Sequence, residues 1–183
     1  EKYGLRTSLF QNKLKKETED YCPSNLTSSI YKEIQQFKVH NIGRSYLLLG
    51  RPGSGKSNLA KSIGISSGEG CLFLKDFADA VRTGFINNIA NYISLLNFSF
   101  IIIDDFDHAG IQGFLDQIFD AFETLKELGK TIIVTANSVA SLHPAMIRPG
   151  RFDKIIRIDT LEPEAVLNMV GGDLELFEEF KEQ

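Results

Sequence analysis

Gly50-Arg51-Pro52-Gly53-Ser54-Gly55-Lys56-Ser57 fits the pattern G-x-x-x-x-G-K-[ST], and its two flanks give it a structural context. Upstream, Tyr46-Leu47-Leu48-Leu49 is a short apolar run of the kind that forms a buried parallel strand. Downstream, Asn58-Leu59-Ala60-Lys61-Ser62-Ile63 reads as a helix. Strand, glycine loop and helix stand in the order a phosphate-binding loop requires. The glycines let backbone N–H groups turn inward around phosphate oxygens, and the positive end of the helix dipole adds to that field. The stretch therefore predicts a nucleoside triphosphate site formed by Gly50, Arg51, Pro52, Gly53, Ser54, Gly55, Lys56, Ser57 and Asn58. Lys56 would reach the terminal phosphates, and the Ser57 hydroxyl would ligate Mg²⁺.

Four further apolar runs follow: Cys71 to Leu74, Phe100 to Ile103, Thr131 to Thr135 and Lys154 to Ile158. Between them the apolar residues take helical spacing, first at Ile86, Ile89, Ile93 and Leu96. They do so again at Ile111, Phe114, Leu115, Ile118, Phe119, Phe122 and Leu125. The second stretch places Asp116, Asp120, Glu123 and Glu127 on its outer face and stops at Gly129, a helix C-cap residue. Alternation of strands and helices predicts a three-layer α/β fold, a five-stranded parallel sheet covered on both faces with ligands at the carboxyl ends of the strands. Ahead of the first run, Ile30, Ile34 and Phe37 predict a short helix capped by Ser28 or Ser29. Pro163 to Met169 and Asp173 to Gln183 read as two further short helices, separated by Gly171-Gly172.

Phe100-Ile101-Ile102-Ile103-Asp104-Asp105 is a buried strand ending in two carboxylates, where a phosphate loop needs an acid to organise its metal. Asp104 is expected to hold Mg²⁺ through water, and Asp105 to orient or deprotonate the attacking water. The competing reading makes both acids caps of the next helix. Thr131-Ile132-Ile133-Val134-Thr135-Ala136-Asn137 is a strand ending in an amide, and Asn137 could touch the γ-phosphate or the lytic water. On its own an Asn after a strand is a turn residue.

Leu142-His143-Pro144-Ala145-Met146-Ile147-Arg148-Pro149-Gly150-Arg151-Phe152-Asp153 completes a set. Here the chain resembles the AAA (AAA+) family of P-loop ATPases, whose second region of homology ends in a similar R-P-G-R-F-D stretch. The order of motifs also matches: glycine loop, acid strand, sensor asparagine, paired arginines. The resemblance covers roughly Ile42 to Asp159. It implies a homo-oligomeric ring, usually a hexamer, with ATP and Mg²⁺ at subunit boundaries and a protein or nucleic-acid substrate that the core does not name. By carry-over, Arg148 and Arg151 would approach the γ-phosphate held by a neighbouring subunit, a contact that can contribute several orders of magnitude in rate. The alternative pairs Arg151 with Asp153 and leaves Arg148 on a solvated Pro-Gly turn.

Three departures from the family pattern bear on activity. Asp105 stands where most relatives have Glu, one methylene shorter by about 1.5 Å; a misplacement of about 1 Å can cost on the order of a hundredfold in rate. Slow hydrolysis, or a low-turnover assembly switch, is the corresponding expectation. Ala80-Val81-Arg82-Thr83-Gly84 lacks the aromatic of the central-pore loop, with Arg82 near its place and Phe77 and Phe85 as nearby substitutes or buried helix residues. A basic loop there would suit an acidic partner or a nucleic-acid backbone, hence the further alternative of a nucleic-acid loader. Residues 160–183 are too few for a full helical lid, so the lid is expected to be reduced or truncated.

The expected plan is a polar segment over residues 1–27, an ATPase core over 28–159 and a partial lid over 160–183. The net charge of -4 offers no global attraction to nucleic acid or anionic membrane. No apolar run reaches membrane-span length, Glu1-Lys2-Tyr3-Gly4 is not a signal peptide, and the missing initiator Met suggests a fragment. Cys22 and Cys71 lie far apart without metal-ligand spacing, and His40, His108 and His143 are isolated. A cytoplasmic setting is the expectation.

Overall fold

A computed structural model of the chain describes residues 8–9, 25–75, 77–89, 91–92, 98–108 and 112–158. The strands are β1 (Ser8–Leu9), β2 (Arg44–Leu49), β3 (Gly70–Leu74), β4 (Phe98–Ile103), β5 (Thr131–Ala136) and β6 (Lys154–Arg157). The helices are α1 (Asn25–Lys38), α2 (Lys56–Ser66), α3 (Phe77–Arg82) and α4 (Leu115–Glu127), with short 3₁₀ turns between them. Across the sheet the order is β1-β3-β4-β5-β2-β6. All five strands from β2 to β6 run parallel, as the apolar runs predict, and only the two-residue β1 is antiparallel, against β3.

Strands β2 to β5 lack polar alternation because both faces of the sheet are covered there, whereas the edge strand β6 is largely exposed. Tyr46, Leu48, Phe100, Ile102 and Ile133 pack with Ile30 and Ile34 of α1 and Leu59 and Ile63 of α2. On the opposite face, Leu47, Ile101, Ile103, Ile132 and Val134 pack with Phe77, Phe106, Ile118 and Phe122. The Tyr46 hydroxyl donates to Glu33 Oε1 at 3.2 Å, tying α1 to β2. Burial, and then the nearby Glu33 charge, raise the Tyr46 phenol above its ordinary pKa, so it remains the donor in this bond.

Helix α4 keeps Ile118, Phe119, Phe122 and Leu125 inside and leaves Asp116, Asp120, Glu123 and Glu127 exposed. Its end is a Schellman motif: the Gly129 N–H donates to Lys126 O at 2.9 Å and the Lys130 N–H to Leu125 O at 3.0 Å. Gly129 takes φ 71 there, as its sequence position anticipates.

Several boundaries differ from the sequence expectation. The sheet has six strands, because β1 pairs with the open edge of β3 inside the expected polar segment. Helix α1 begins at Asn25, so Ser28 and Ser29 lie within it rather than capping it; the buried Thr27 extends the packed face by a turn. Ile86 and Ile89 are buried in a 3₁₀ turn over Ile86–Asn88 and the residue that follows, while Ile93 and Leu96 lie outside the described residues. A 3₁₀ turn over Gln112–Phe114 precedes α4, and Ile111 is likewise outside. The helices expected after Pro163, the partial lid and Cys22 also lie outside the described residues.

Phe77 is a core residue, its ring centroid 5.2 Å from that of Phe106, and Phe85 stacks on Tyr92 at 5.0 Å. Arg82 ends α3, exposed, with its Nε donating to Ala78 O at 3.2 Å.

Gly129→Ala should lower stability by about 1–2 kcal/mol, because the left-handed conformation disfavours a Cβ and the new methyl would lie 2.3 Å from Asn41 Oδ1. Chemical denaturation compared with wild type checks this.

Candidate functional site

The glycine loop leaves β2 at its carboxyl end and re-enters regular structure at Lys56, the first residue of α2. Gly53 and Gly55 take φ 81 and 85, conformations open to glycine that turn successive N–H groups to one side. Gly55 is the N-cap of α2 without a side-chain cap, so the first N–H groups of the helix receive no acceptor from that residue's side chain. The loop's frame is held by Gly50 N–H on Ala136 O at 3.3 Å and Ser54 N–H on Arg51 O at 3.1 Å. Arg51, Pro52 and Gly53 are exposed, and Asn58 is half-buried on α2.

Lys56 is only 5% exposed. Its ammonium donates to Gly50 O at 2.7 Å, Arg51 O at 2.9 Å and Asn137 Oδ1 at 3.2 Å, and so joins the loop to the end of β5. Two features suit this loop to a phosphate chain. The Ser54 hydroxyl is buried without a hydrogen-bond partner among the described residues, and a cation is held beside uncapped helix N–H groups.

The two acids take different positions. Asp104 is half-buried, and its Oδ1 accepts the Ser57 hydroxyl at 2.7 Å and the Thr135 hydroxyl at 2.6 Å. Among the described residues its second oxygen carries no bond, which leaves it for a hard cation. That donor set fits Mg²⁺, which takes one or two carboxylates and completes its shell with phosphate and water. No group of three or more His, Cys, Asp or Glu able to hold a metal occurs among the described residues. Asp105 is exposed and takes φ 50, a left-handed conformation rare for a non-glycine residue. Its N–H is accepted by Thr135 Oγ1 at 3.0 Å.

Asn137 is fixed from the other side by Asp107. The Asn137 backbone N–H donates to Asp107 Oδ2 at 3.0 Å and its side-chain amide to Asp107 Oδ1 at 3.5 Å. Ser141 Oγ donates to Asp107 Oδ2 at 2.8 Å. The amide therefore keeps its oxygen towards Lys56. Asp107, Thr135 and Ser141 were not singled out from the sequence. The available signal was Thr135, a hydroxyl inside a strand predicted to be wholly buried, which must find a partner.

The structure brings Lys56, Ser57, Asp104 and Asn137 together and keeps Arg148 and Arg151 apart from them. Arg148, extended ahead of Pro149, is exposed. Arg151 lays its guanidinium on the Phe119 ring, 3.8 Å from the centroid, with Nη1 3.7 Å from Glu123 Oε1. The alternative pairing of Arg151 with Asp153 does not occur. Asp153 instead accepts the Ser45 N–H at 2.7 Å and the Ser45 hydroxyl at 2.9 Å, beside Arg44 and Lys126. Ser45 lies at the amino end of β2, and the glycine loop starts five residues on, about 16 Å away at ~3.3 Å per residue. Arg151 also rests on α4, across the sheet from α2. His143 is a structural cap, its Nδ1 accepting the Ala145 N–H at 3.2 Å.

Residues 46–160 match the family described as ATPase family associated with various cellular activities (AAA). The chain is 30% identical over 133 residues to a probable 26S proteasome regulatory subunit 10B of Caenorhabditis elegans, covering 61% of this chain and 32% of that protein. It is 31% identical over 138 residues to a proteasome-activating nucleotidase of Saccharolobus solfataricus, covering 63% of this chain and 34% of the relative. The chain thus spans about a third of the length of these relatives. Among solved structures, C. elegans PCH-2 superposes with a TM-score of 0.62 at 16% identity, over 92% of this chain and 52% of that one, a likeness of fold.

Asp153→Ala would leave the buried Ser45 N–H and two cations without their acceptor. Stability should fall by about 1–3 kcal/mol, read from urea midpoints at unchanged slope.

Proposed function

Because the chain belongs to the AAA family of ATPases, we propose that it binds ATP with Mg²⁺, hydrolyses it at a boundary between subunits of a hexameric ring, and so remodels a protein or nucleic-acid partner. The observation that carries this reading is the convergence at the strand ends: Lys56 bonded to Asn137, and Ser57 bonded to Asp104 at 2.7 Å. Residues Gly50 to Asn58 would cradle the phosphates. Ser57 and Asp104 would hold Mg²⁺, which when bound neutralises charge on the phosphate oxygens. Asp105 is exposed beside this cluster and would accept the proton of the attacking water, with Asn137 orienting that water.

Arg148 and Arg151 would serve a neighbour's site. Their separation from the Lys56 of their own chain, by the length of β2 and the thickness of the sheet, supports action in trans. The Phe119 ring and Glu123 would hold the Arg151 guanidinium ready on the outer face. Residues 28–159, extended to Asn25, would form the ATPase core with a partial lid over 160–183, in a cytoplasmic setting. No helix among the described residues is long and apolar enough to cross a membrane.

A second reading, a low-turnover switch or assembly module that binds ATP tightly, is favoured by Asp105. Its carboxylate is one methylene short of Glu and rests on a left-handed backbone.

The ATPase rate per subunit, measured against protein concentration for wild type and Arg151→Ala, tests the proposal. The rate should rise with concentration and fall by about a thousandfold in the variant. A flat rate independent of Arg151 would sink the trans arrangement. Tight ATP binding without turnover at any concentration would select the switch.

A further inference from the structure

Strand β5 is buried at every position, and Thr135 near its carboxyl end is fully enclosed. A threonine hydroxyl can donate one hydrogen bond and accept two. That of Thr135 donates to Asp104 Oδ1 at 2.6 Å and accepts the Asp105 N–H at 3.0 Å. One buried hydroxyl thus holds the side chain of the first acid and the main chain of the second.

The strand register explains the position. Ile103 pairs with Val134, so the residue after each, Asp104 and Thr135, stand side by side where the β4–β5 pairing ends. On the other edge, Asp104 N–H continues towards β3, donating to Leu74 O at 3.3 Å. The next N–H, that of Asp105, turns towards β5 and meets the side chain of Thr135 in place of a backbone carbonyl. Asp105 leaves the strand at φ 50, a conformation that costs a non-glycine residue about 1 kcal/mol or more and persists only where surrounding bonds fix it.

We propose that Thr135 is a positioning residue for hydrolysis: its hydroxyl sets the direction in which Asp105 leaves β4 and the rotation of the Asp104 carboxylate, and so aims the short acid at the phosphate loop. With Ser57 and Thr135 both on Oδ1, the second oxygen of Asp104 is turned away from them. The Asp105 carboxylate is exposed and bonded to nothing among the described residues, so its aim depends on its backbone. This inference rests on the ATPase reading above.

Thr135→Val keeps the shape of the side chain and removes the hydroxyl; Thr135→Ser keeps the hydroxyl. With both variants folded and binding ADP within about twofold of wild type, kcat should fall at least about thirtyfold in the Val variant, with KM for ATP changed less than about twofold. That loss is of the size a displacement of about 1 Å produces. The Ser variant should retain at least about a third of kcat. Amide hydrogen exchange at Asp105 should be slow in wild type and Ser, and at least about tenfold faster in Val. A Val variant with kcat within about threefold of wild type would overturn the inference. So would a loss of kcat that Ser does not restore. If wild type shows no turnover, the ATPase reading fails separately, and Asp105 exchange equally slow in all three proteins would still remove the anchor. A Val variant that does not fold leaves the decision to Ser, whose kcat and Asp105 exchange must then follow wild type for the inference to stand.

Discussion

The parallel register of β2 against β5, and of β5 against β4, is the constraint on which the rest of this molecule depends. Leu49 lies opposite Ala136 and Ile103 opposite Val134, so Gly50, Asn137 and Asp104 leave the sheet together at one end. A slip of one residue would send every side chain of a strand to the other face, breaking the apolar packing and dispersing the site at once. The core that fixes the register and the chemistry at its edge are therefore not separable. Ile133 and Ile102 hold the strands level, and Lys56 meets Asn137 because they do.

The sheet also divides the molecule's chemistry between two faces. The face under α2 carries Ser57, Asp104 and Thr135. The face under α4 carries Arg151, stacked on Phe119 above the buried Phe122 and Phe152. The Arg148–Arg151 loop is pinned on both sides, by the buried Met146 before it and, after it, by Phe152 in the core and by Asp153 bonded to Ser45 of β2. Arg151 is thus held against α4, on the face of the sheet opposite α2 and its phosphate loop.

Much of the fold was legible in the chain. All five parallel strands fall on the apolar runs; for β2 to β5 the reason is burial on both faces, which needs uninterrupted hydrophobic sequence, while the largely exposed edge strand β6 carries only Ile155-Ile156. The α4 pattern and its stop at Gly129 were equally plain, because a period of 3.6 and a left-handed cap are local properties. Short-range order failed elsewhere for physical reasons. Ser28 and Ser29 fall inside α1 because the packed face runs back to the buried Thr27, and β1 exists through pairing with a distant edge. Phe77 could have been a loop aromatic until Phe106 was placed against it.

By itself the sequence determined the phosphate loop, the acids that end a strand and the identity of the arginines, because each is a contiguous pattern whose geometry follows from neighbouring residues. Only the tertiary structure decided their company. Lys56 and Asn137 are 81 residues apart, Asp104 and Thr135 31 apart, and Arg151 faces Glu123 rather than Asp153. A hydroxyl, an amide or a guanidinium takes its partner from whatever the packed strands and helices bring within about 3 Å, and that is fixed by register and layer, to which local sequence is blind.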